Sequence, residues 1–253
     1  MNIGEIYDQN VSTHYDSDPF GLLSGARNRA YWQITKHLES APDAILDMAA
    51  GTGEALVKMH EFFPQATIHG IDISEQMLAI AKSKLLFNAI HDSVVNANQY
   101  FGPASVDLIL MHFLLAYINC TEMLLKTASL LKPGAYFSLA NTIYGAFPKI
   151  HKLCLHVLSE EFFKKNCQVP MDNAETIDNL KASRLEIIAV ETFSKRIFFN
   201  SFTELCHFGL TSGFFTHIMV QCDNETIQKA GRIENVFPFE DHYEAVIVLA
   251  RKP

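Results

Sequence analysis

The sequence predicts an α/β fold whose mostly parallel sheet carries helices on both faces. Between residues 44 and 141, short apolar segments alternate with segments of helical periodicity, as in consecutive βαβ units. One apolar segment ends at Asp47 and leads through Gly51-Thr52-Gly53 into a helical pattern. A glycine turn between a strand and a helix leaves backbone N–H groups free to hold a ligand, so this turn marks a candidate binding edge of the sheet.

Five strands are predicted in this half of the chain. They are the apolar or β-branched segments 44–48, 67–73, 94–95, 106–111 and 135–140, of which 94–95 carries the weakest signal. Apolar residues at helical spacing predict helices over 54–63, 75–87 and 121–131. Pro64 ends the first of these helices, and Ser74 is the predicted N-cap of the second.

The second half is predicted to insert an apolar cap after the fifth strand. Its pattern is mostly helical over 144–181, β-like over 185–199, helical over 202–213, and strand-like over 214–222 and 242–250. We therefore expect N-terminal lid helices over 1–40, a core of 41–143 and 201–253, and an inserted substrate cap of 144–200. Twelve of the 19 Phe lie between 147 and 239, and they form either the core of the cap or the walls of a pocket for an apolar substrate.

The chain is acidic, with 28 Asp and Glu against 20 Lys and Arg and a formal net charge of −8. This balance argues against binding nucleic acid through its phosphates. We expect no signal peptide and no membrane span, because the longest apolar stretch is shorter than the roughly 20 residues that a bilayer requires. Five cysteines without CxxC spacing predict reduced thiols in a cytoplasmic protein without a metal site. The sequence does not indicate an oligomeric state.

A second acidic residue, Asp72, ends the strand that follows the glycine turn. A carboxylate there can accept hydrogen bonds from both hydroxyls of a ribose, so the turn and Asp72 together predict an adenosine-containing cofactor. A dinucleotide motif would carry a third glycine where this chain has Leu56. Asp47 would repel a pyrophosphate and attract an ammonium or sulfonium group, and charge therefore favours S-adenosylmethionine over NAD.

Four segments, in order, resemble the class I S-adenosylmethionine-dependent methyltransferases of small molecules. DMAAGTG (47–53) resembles motif I, with Ala49 in place of its first glycine, and HGIDISEQMLAIAKSKL (69–85) resembles motif II. NANQYFGPASVDLILMHFLL (96–115) and LLKPGAYFSLAN (130–141) resemble the segments around strands four and five. The resemblance implies a Rossmann-like fold with a seven-stranded, mostly parallel sheet and S-adenosyl-L-methionine as cofactor.

The resemblance also implies roles for individual residues. In it, Asp72 binds the ribose, Met77 packs on the adenine, and Asn96 replaces an Asp that meets the adenine amino group. The residues expected to bind the cofactor are Asp47, Ala49, Ala50, Gly51, Gly53, Asp72, Ile73, Met77, Asn96, Ala97, Met111 and Tyr15.

The N-terminal segment IYDQNVSTHYDSDPF resembles the lid helix of small-molecule methyltransferases. In such a lid, Tyr15 would close over the methionine end of the cofactor, and Arg27 or Arg29 would pair with its carboxylate. The alternative is a surface helix with half-buried aromatic residues.

The acceptor is expected where the fourth strand ends. His112 lies there as the candidate catalytic residue, either a general base or a group that orients the acceptor; the alternative is a strand-end His bonded to the backbone. Tyr117, Asn141 and Tyr144 are candidate acceptor-binding residues. We expect a small, partly apolar acceptor methylated on oxygen, with carboxylates among the candidates, and less readily on nitrogen or carbon. A non-catalytic binding or protein-interaction module on the same fold is the competing hypothesis.

Overall fold

The sheet has seven strands in the order β3-β2-β1-β4-β5-β7-β6. The computed structural model describes residues 2–118, 120–166, 172–233 and 237–253. The strands are β1 Ala44–Met48, β2 Thr67–Asp72, β3 Asn88–His91, β4 Val106–His112, β5 Leu131–Thr142, β6 Glu186–Phe199 and β7 Phe239–Arg251. The first five run parallel, and β7 is antiparallel to both β5 and β6. The predicted α/β class and the seven-stranded, mostly parallel sheet are confirmed.

Helices connect the strands and cover both faces of the sheet. They are α1 Ile3–Ile6, α2 Leu22–His37, α3 Glu54–Phe62, α4 Glu75–Lys84, α5 Cys120–Leu130, α6 Pro148–Val157, α7 Glu160–Asn166, α8 Asn173–Ala182, α9 Phe202–Thr211, α10 Thr216–Met219 and α11 Asn224–Ile233. Neighbouring residues of β1 enter different core clusters, with Ile45 on one face and Leu46 on the other. Both faces of the strand are buried, as its continuous apolar run predicts.

The third strand lies earlier in the chain than the sequence predicts. β3 is Asn88–His91, and the predicted strand 94–95 falls in a 3₁₀-helix over Val94–Gln99. The predicted helix 75–87 ends sooner, at Lys84, because Leu85 is already extended. β3 is a short, half-exposed edge strand, so it lacks the apolar run that marks the buried strands.

The strand predicted over 214–222 is wrong. Gly213 has φ +86, and the chain beyond it forms the short helix α10 at Thr216–Met219. Phe214 and Phe215 pack against other aromatic rings, including Phe147. The apolar run that suggested a strand therefore reflects burial of these rings rather than pairing in the sheet.

The predicted cap boundaries need correction as well. Residues 186–199 of the predicted cap form β6, which pairs with β7 along its length, and α8 packs against α5 and β6. Conversely, α9, α10 and α11 come from the segment assigned to the core, yet α11 packs on α6, and α10 packs on α7 and α9. We use helical cap for these five helices, α6, α7 and α9–α11.

The lid is shorter than the predicted 1–40, because α2 packs on β5, β6 and β7 as a core helix. Residues 3–17 lie across the carboxyl ends of the strands instead. Asp8 accepts hydrogen bonds from the Ser74 hydroxyl and the Gln76 N–H, and Asp16 forms an ion pair of 2.6 Å with Lys84. Two carboxylates thus hold this lid segment onto α4.

Candidate active site

Two adjoining clefts open at the carboxyl ends of the parallel strands, where β1 lies between β2 and β4. The first has a volume of about 770 Å³ and is lined by the glycine turn, the end of β2 and the lid segment. The second has a volume of about 620 Å³ and is lined by the lid segment, the end of β5 and the helical cap. We call them the glycine-turn cleft and the aromatic cleft. They share the rings of Tyr7, Tyr15, Phe113 and Tyr117.

The glycine turn is held in left-handed backbone conformations. Ala49, Gly51 and Gly53 have φ values of +87, +54 and +82, and the N–H groups of Ala49 and Ala50 both donate to the Ile71 carbonyl. Ala49 and Gly51 line the glycine-turn cleft. Gly53 serves packing instead, since an added Cβ would lie 2.9 Å from the Cβ of Ala81 on α4. Ala50 is buried in the core.

Asp72 joins the glycine turn to the start of α4. Its Oδ2 accepts the Gly51 N–H at 2.7 Å and its Oδ1 accepts the Ser74 N–H at 2.9 Å. The side chain is 8% exposed and lines the glycine-turn cleft. Burial raises the pKa of Asp72, although the backbone N–H groups oppose this effect. The carboxylate lies at the position that the sequence analysis assigned to a ribose.

Apolar groups flank Asp72 on the wall of the glycine-turn cleft. Ile73 and Met77 line it, as predicted, together with Ser93 and Val94. Because β3 ends at His91, the residues that reach the cleft after it are Ser93 and Val94. These two were missed in the sequence because the third strand was placed at 94–95.

Besides Ala50 and Gly53, three further predicted cofactor residues lie away from the cleft. The Asn96 amide donates to Asp92 Oδ1 at 2.9 Å, and Ala97 is buried in the core; neither lines the cleft. Met111 is fully buried in the core, because adjacent residues of a strand point to opposite faces and His112 takes the cleft side. Asn96 and Ala97 were misplaced by the shift of β3.

Four buried polar side chains lie close together beneath the glycine-turn cleft. Arg27 and Tyr31 come from one face of α2, Asp47 from β1 and His112 from the end of β4. Within the described part of the chain, Arg27 Nε, Tyr31 Oη, Asp47 Oδ1 and His112 Nδ1 have no hydrogen-bond partner. Native structures rarely leave so many buried polar atoms unpaired, so this group suits a polar, charged ligand moiety.

Asp47 and Arg27 supply the charges of this group. Asp47 is 2% exposed, and burial raises its pKa to about 7, although Arg27 opposes the shift. Arg27 donates to the Tyr15 hydroxyl at 3.0 Å. Arg29, the other candidate for the cofactor carboxylate, is exposed and lies 3.7 Å from Glu191. Of the two arginines, Arg27 is the one that contacts residues lining the cleft, namely Tyr15 and Phe113.

His112 is a buried, neutral group in this structure. Its Nε2 lies 3.1 Å from the Ser138 hydroxyl, a side chain rather than the backbone group of the alternative interpretation. Burial lowers the pKa of His112 to about 3, with Arg27 adding to the effect. An imidazole with such a pKa accepts few protons at neutral pH. His112 lines the glycine-turn cleft, whereas the described lining of the aromatic cleft lacks it.

Phe113 stands between the two clefts in a strained conformation. Its φ is +61, a value that costs energy for a residue with a side chain. The Phe113 N–H donates to the Ala140 carbonyl at 2.7 Å, and the Arg27 guanidinium carbon lies 5.6 Å from its ring centroid. The sequence carries no local signal for this conformation, because it depends on the neighbouring strand and on α2.

A hydrogen-bonded pair of tyrosines also separates the clefts. The Tyr117 hydroxyl donates to the Gly213 carbonyl at 2.6 Å, so in the 2.9 Å bond between the two hydroxyls Tyr7 is the donor. Burial raises the pKa of Tyr7 well above its usual value. The pair connects the lid segment to the helical cap through the loop after β4.

The aromatic cleft gathers all three predicted acceptor residues, Tyr117, Asn141 and Tyr144. Asn141 is committed to the backbone, since its Oδ1 accepts from Leu115 N–H and its Nδ2 donates to the Thr142 carbonyl. Much of the remaining lining is apolar, and the described lining contains no charged side chain. The Phe residues among it are Phe113, Phe147, Phe214 and Phe215.

The described ranges contain no group of three or more His, Cys, Asp or Glu side chains that could hold a metal ion. Within the same ranges, every helix is too short or too polar to cross a bilayer.

The chain is similar to known methyltransferases. Residues 46–137 match the family described as "Methyltransferase domain". A malonyl-[acyl-carrier protein] O-methyltransferase of Marinomonas sp. is 24% identical over 164 residues, which cover 63% of this chain and 58% of that protein. The C-methyltransferase UbiE of Desulfotalea psychrophila is 32% identical over 103 residues, covering 40% and 42%. The chain thus spans about half the length of these curated relatives.

The fold comparison covers more of the chain. The crystal structure of the [4+2]-cyclase SpnF superposes with a TM-score of 0.61 over 99% of this chain and 96% of that one, at 15% identity. At this identity the likeness concerns the fold alone.

Proposed function

Since residues 46–137 form a domain of the class I S-adenosylmethionine-dependent methyltransferase family, we propose that this chain transfers a methyl group from S-adenosyl-L-methionine to a small, partly apolar acceptor. The observation that carries the proposal is the pair of adjoining clefts, one lined by the glycine turn and the Asp72 carboxylate, the other largely aromatic, that share four aromatic rings. A methyl donor and an acceptor must lie within about 3–3.5 Å of each other, and adjoining clefts provide that proximity.

The side chains of the glycine-turn cleft match the chemical groups of the cofactor. Asp72 offers a carboxylate to the ribose hydroxyls, and Ile73 and Met77 offer apolar surface to the adenine. The unpartnered polar atoms of Asp47 and Arg27 suit the ammonium and carboxylate groups of the methionine end. When bound, S-adenosylmethionine supplies a methyl group on a positively charged sulfur, and this chain's residues orient both partners and exclude water.

The aromatic cleft favours an acceptor that arrives already deprotonated. Its described lining holds no His, Asp, Glu or Lys, and burial keeps the hydroxyl of Tyr7 protonated. A carboxylate needs no general base before it attacks a methyl group. We therefore propose methylation on oxygen, with a carboxylate as the favoured acceptor; the name of the Marinomonas relative, an O-methyltransferase, supports this choice.

His112 does not act as a general base in the proposed reaction. The ring of His112 is hydrogen-bonded to Ser138 and lines the glycine-turn cleft. We propose that it orients the bound cofactor and acceptor as a neutral hydrogen-bonding group. Tyr117 and Tyr144 contact the acceptor, and Asn141 positions the loop that carries Tyr117.

The test is transfer of a radiolabelled methyl group from S-adenosylmethionine to pooled carboxylic acids, phenols and amines. We expect labelled methyl esters from the acid pool. Gly51→Arg should abolish transfer, because the new side chain fills the glycine-turn cleft, while the matched Gly102→Arg should not, since Gly102 has open space around it. Binding of S-adenosylmethionine without transfer to any pool would favour the non-catalytic module on the same fold.

A further inference from the structure

A third cavity lies inside the helical cap. It is partly open to solvent, encloses about 610 Å³ when the space at its mouth is included, and is bounded by α6, α9, α10 and the start of α11. Its described lining consists of apolar side chains, three cysteine thiols, one glycine and one threonine; the thiols are Cys154, Cys206 and Cys222. We call it the cap cavity. A cavity with this lining has almost nothing to offer a polar ligand.

The cap cavity is next to the aromatic cleft. Phe215 lines both, so its ring is part of the wall between them. The Phe147 ring, on the aromatic-cleft side, lies 5.2 Å from Phe215 and 5.9 Å from Phe208, which lines the cap cavity. A channel from the aromatic cleft into the cap would therefore pass between these three rings and requires that they move apart.

We infer that the cap cavity holds the unbranched hydrocarbon chain of the acceptor, whose reactive end lies in the aromatic cleft. This inference rests on the proposed function and narrows it to acceptors with an alkyl tail. Water in an apolar cavity finds few hydrogen-bond partners, whereas each buried methylene group stabilises the complex. Thr226 supplies the one hydroxyl in the described lining of the cap cavity, whereas the aromatic cleft is lined by several, including those of Tyr15 and Tyr144. An ionised end group is therefore better accommodated in the aromatic cleft than in the cap cavity.

Chain length provides the test. Butanoate, octanoate, dodecanoate and hexadecanoate are titrated into the protein by isothermal titration calorimetry, with and without S-adenosylhomocysteine. Affinity should increase by up to about fourfold per added methylene group until the cavity is filled, and then level off. Equal affinity across the series would overturn the inference.

A matched pair of variants locates the chain. Leu153 lines the cap cavity, whereas Leu155, two residues along the same helix, is 38% exposed. Leu153→Trp should stop the gain in affinity at a shorter chain, and Leu155→Trp should leave the series unchanged. Equal series in the two variants would show that the tail binds elsewhere and would overturn the inference.

The thiols provide a readout that needs neither variant. Alkylation of Cys154, Cys206 and Cys222 by N-ethylmaleimide, followed by peptide mass spectrometry, should slow several-fold in the presence of dodecanoate. Unchanged rates at all three would count against occupancy of the cap cavity.

The two proposals can fail separately. A chain-length series without any binding of S-adenosylhomocysteine would leave the cap cavity a lipid site and remove the methyltransferase function. Binding of S-adenosylhomocysteine and methyl transfer with no dependence on chain length would retain the function and remove the alkyl tail.

Discussion

The glycine-turn cleft and the aromatic cleft are neighbours built by different means. The first takes its polar wall from the glycine turn and the end of β2, and the end of β4 and the lid segment complete it. Its charge comes from the buried Asp72. The second is formed by rings from the lid segment and the helical cap, and its described lining carries no charge. One cleft is specified by local backbone geometry, and the other by the packing of distant segments.

Because of this difference, we expect substitutions in the two clefts to change ligand binding in different ways. A substitution in the glycine-turn cleft should change the affinity for the cofactor and its pH dependence. A substitution at the shared tyrosines should affect both clefts modestly, because they join the lid segment to the helical cap.

Asp72→Asn should weaken S-adenosylhomocysteine binding about 10- to 100-fold, because the variant loses charge-assisted hydrogen bonds to the ribose. Isothermal titration calorimetry measures the effect. Asp107→Asn is the matched control: Asp107 pairs with Lys132 and the Ala44 N–H, among residues that do not line the cleft. Equal losses in both variants would mean that Asp72 acts through stability and not through the ligand.

Asp47 should make cofactor binding depend on pH. Its pKa is about 7 in the free protein, so the carboxyl group is largely protonated at lower pH. It must lose this proton before it can pair with a cationic ligand. The dissociation constant should therefore fall as pH rises from 5 to 7, by up to tenfold per unit, and be level above about 8. Because the folded pKa exceeds the unfolded value, the free protein should also lose stability as pH rises from about 4 to 7.

Asp47→Asn should remove most of both pH dependences and weaken binding at pH 8. Calorimetric titrations and urea unfolding at several pH values provide the measurements. A variant with the pH profile of the wild type would assign the titration to another group, with Asp72 as the first candidate.

Tyr7→Phe should weaken S-adenosylhomocysteine binding about two- to tenfold, since one hydrogen bond between the lid segment and Tyr117 is lost. Tyr100→Phe is the control, because the Tyr100 hydroxyl donates to Asp92 and Tyr100 does not line the cleft. If only Tyr100→Phe weakened binding, the tyrosine pair would have no part in closing the clefts.

Ala49→Gly should stabilise the protein by about 0.5–1 kcal/mol. Ala49 has φ +87, where a side chain costs about 1–2 kcal/mol, and the entropy of glycine in the unfolded chain offsets part of the gain. Urea unfolding measures the change. Ala50→Gly, at the next position and without a positive φ, should destabilise instead, and the opposite order would refute strain at the turn.

Much of the glycine-turn cleft could be predicted because its determinants are local. Gly51, Asp72, Ile73 and Met77 follow directly from strand ends and a cap, so their positions depend on few long-range contacts. Ser93 and Val94 reach the cleft in place of Asn96 and Ala97 because β3 is a short edge strand without an apolar run and ends at His91. Met111 has a different cause, since it points to the opposite face of β4 from His112.

The aromatic cleft could be predicted only in part. Tyr117 and Tyr144 lie near the ends of predicted strands, but Phe113 and Phe215 reach the cleft through tertiary packing. The apolar run 214–222 looks like a strand in sequence, and only its contacts with rings such as Phe147 decide its conformation. The low pKa of His112 likewise follows from burial, which periodicity does not quantify.

Thermal unfolding with S-adenosylmethionine, S-adenosylhomocysteine or NAD tests whether the glycine-turn cleft binds S-adenosylmethionine. A ligand at 100 times its dissociation constant should add about 2.7 kcal/mol, a rise of about 5–10 °C in a chain of this size. We expect that rise with the first two ligands, a much smaller one in Asp72→Asn, and none with NAD. A rise with NAD alone, or with none of the three, would contradict the assignment of the glycine-turn cleft to S-adenosylmethionine.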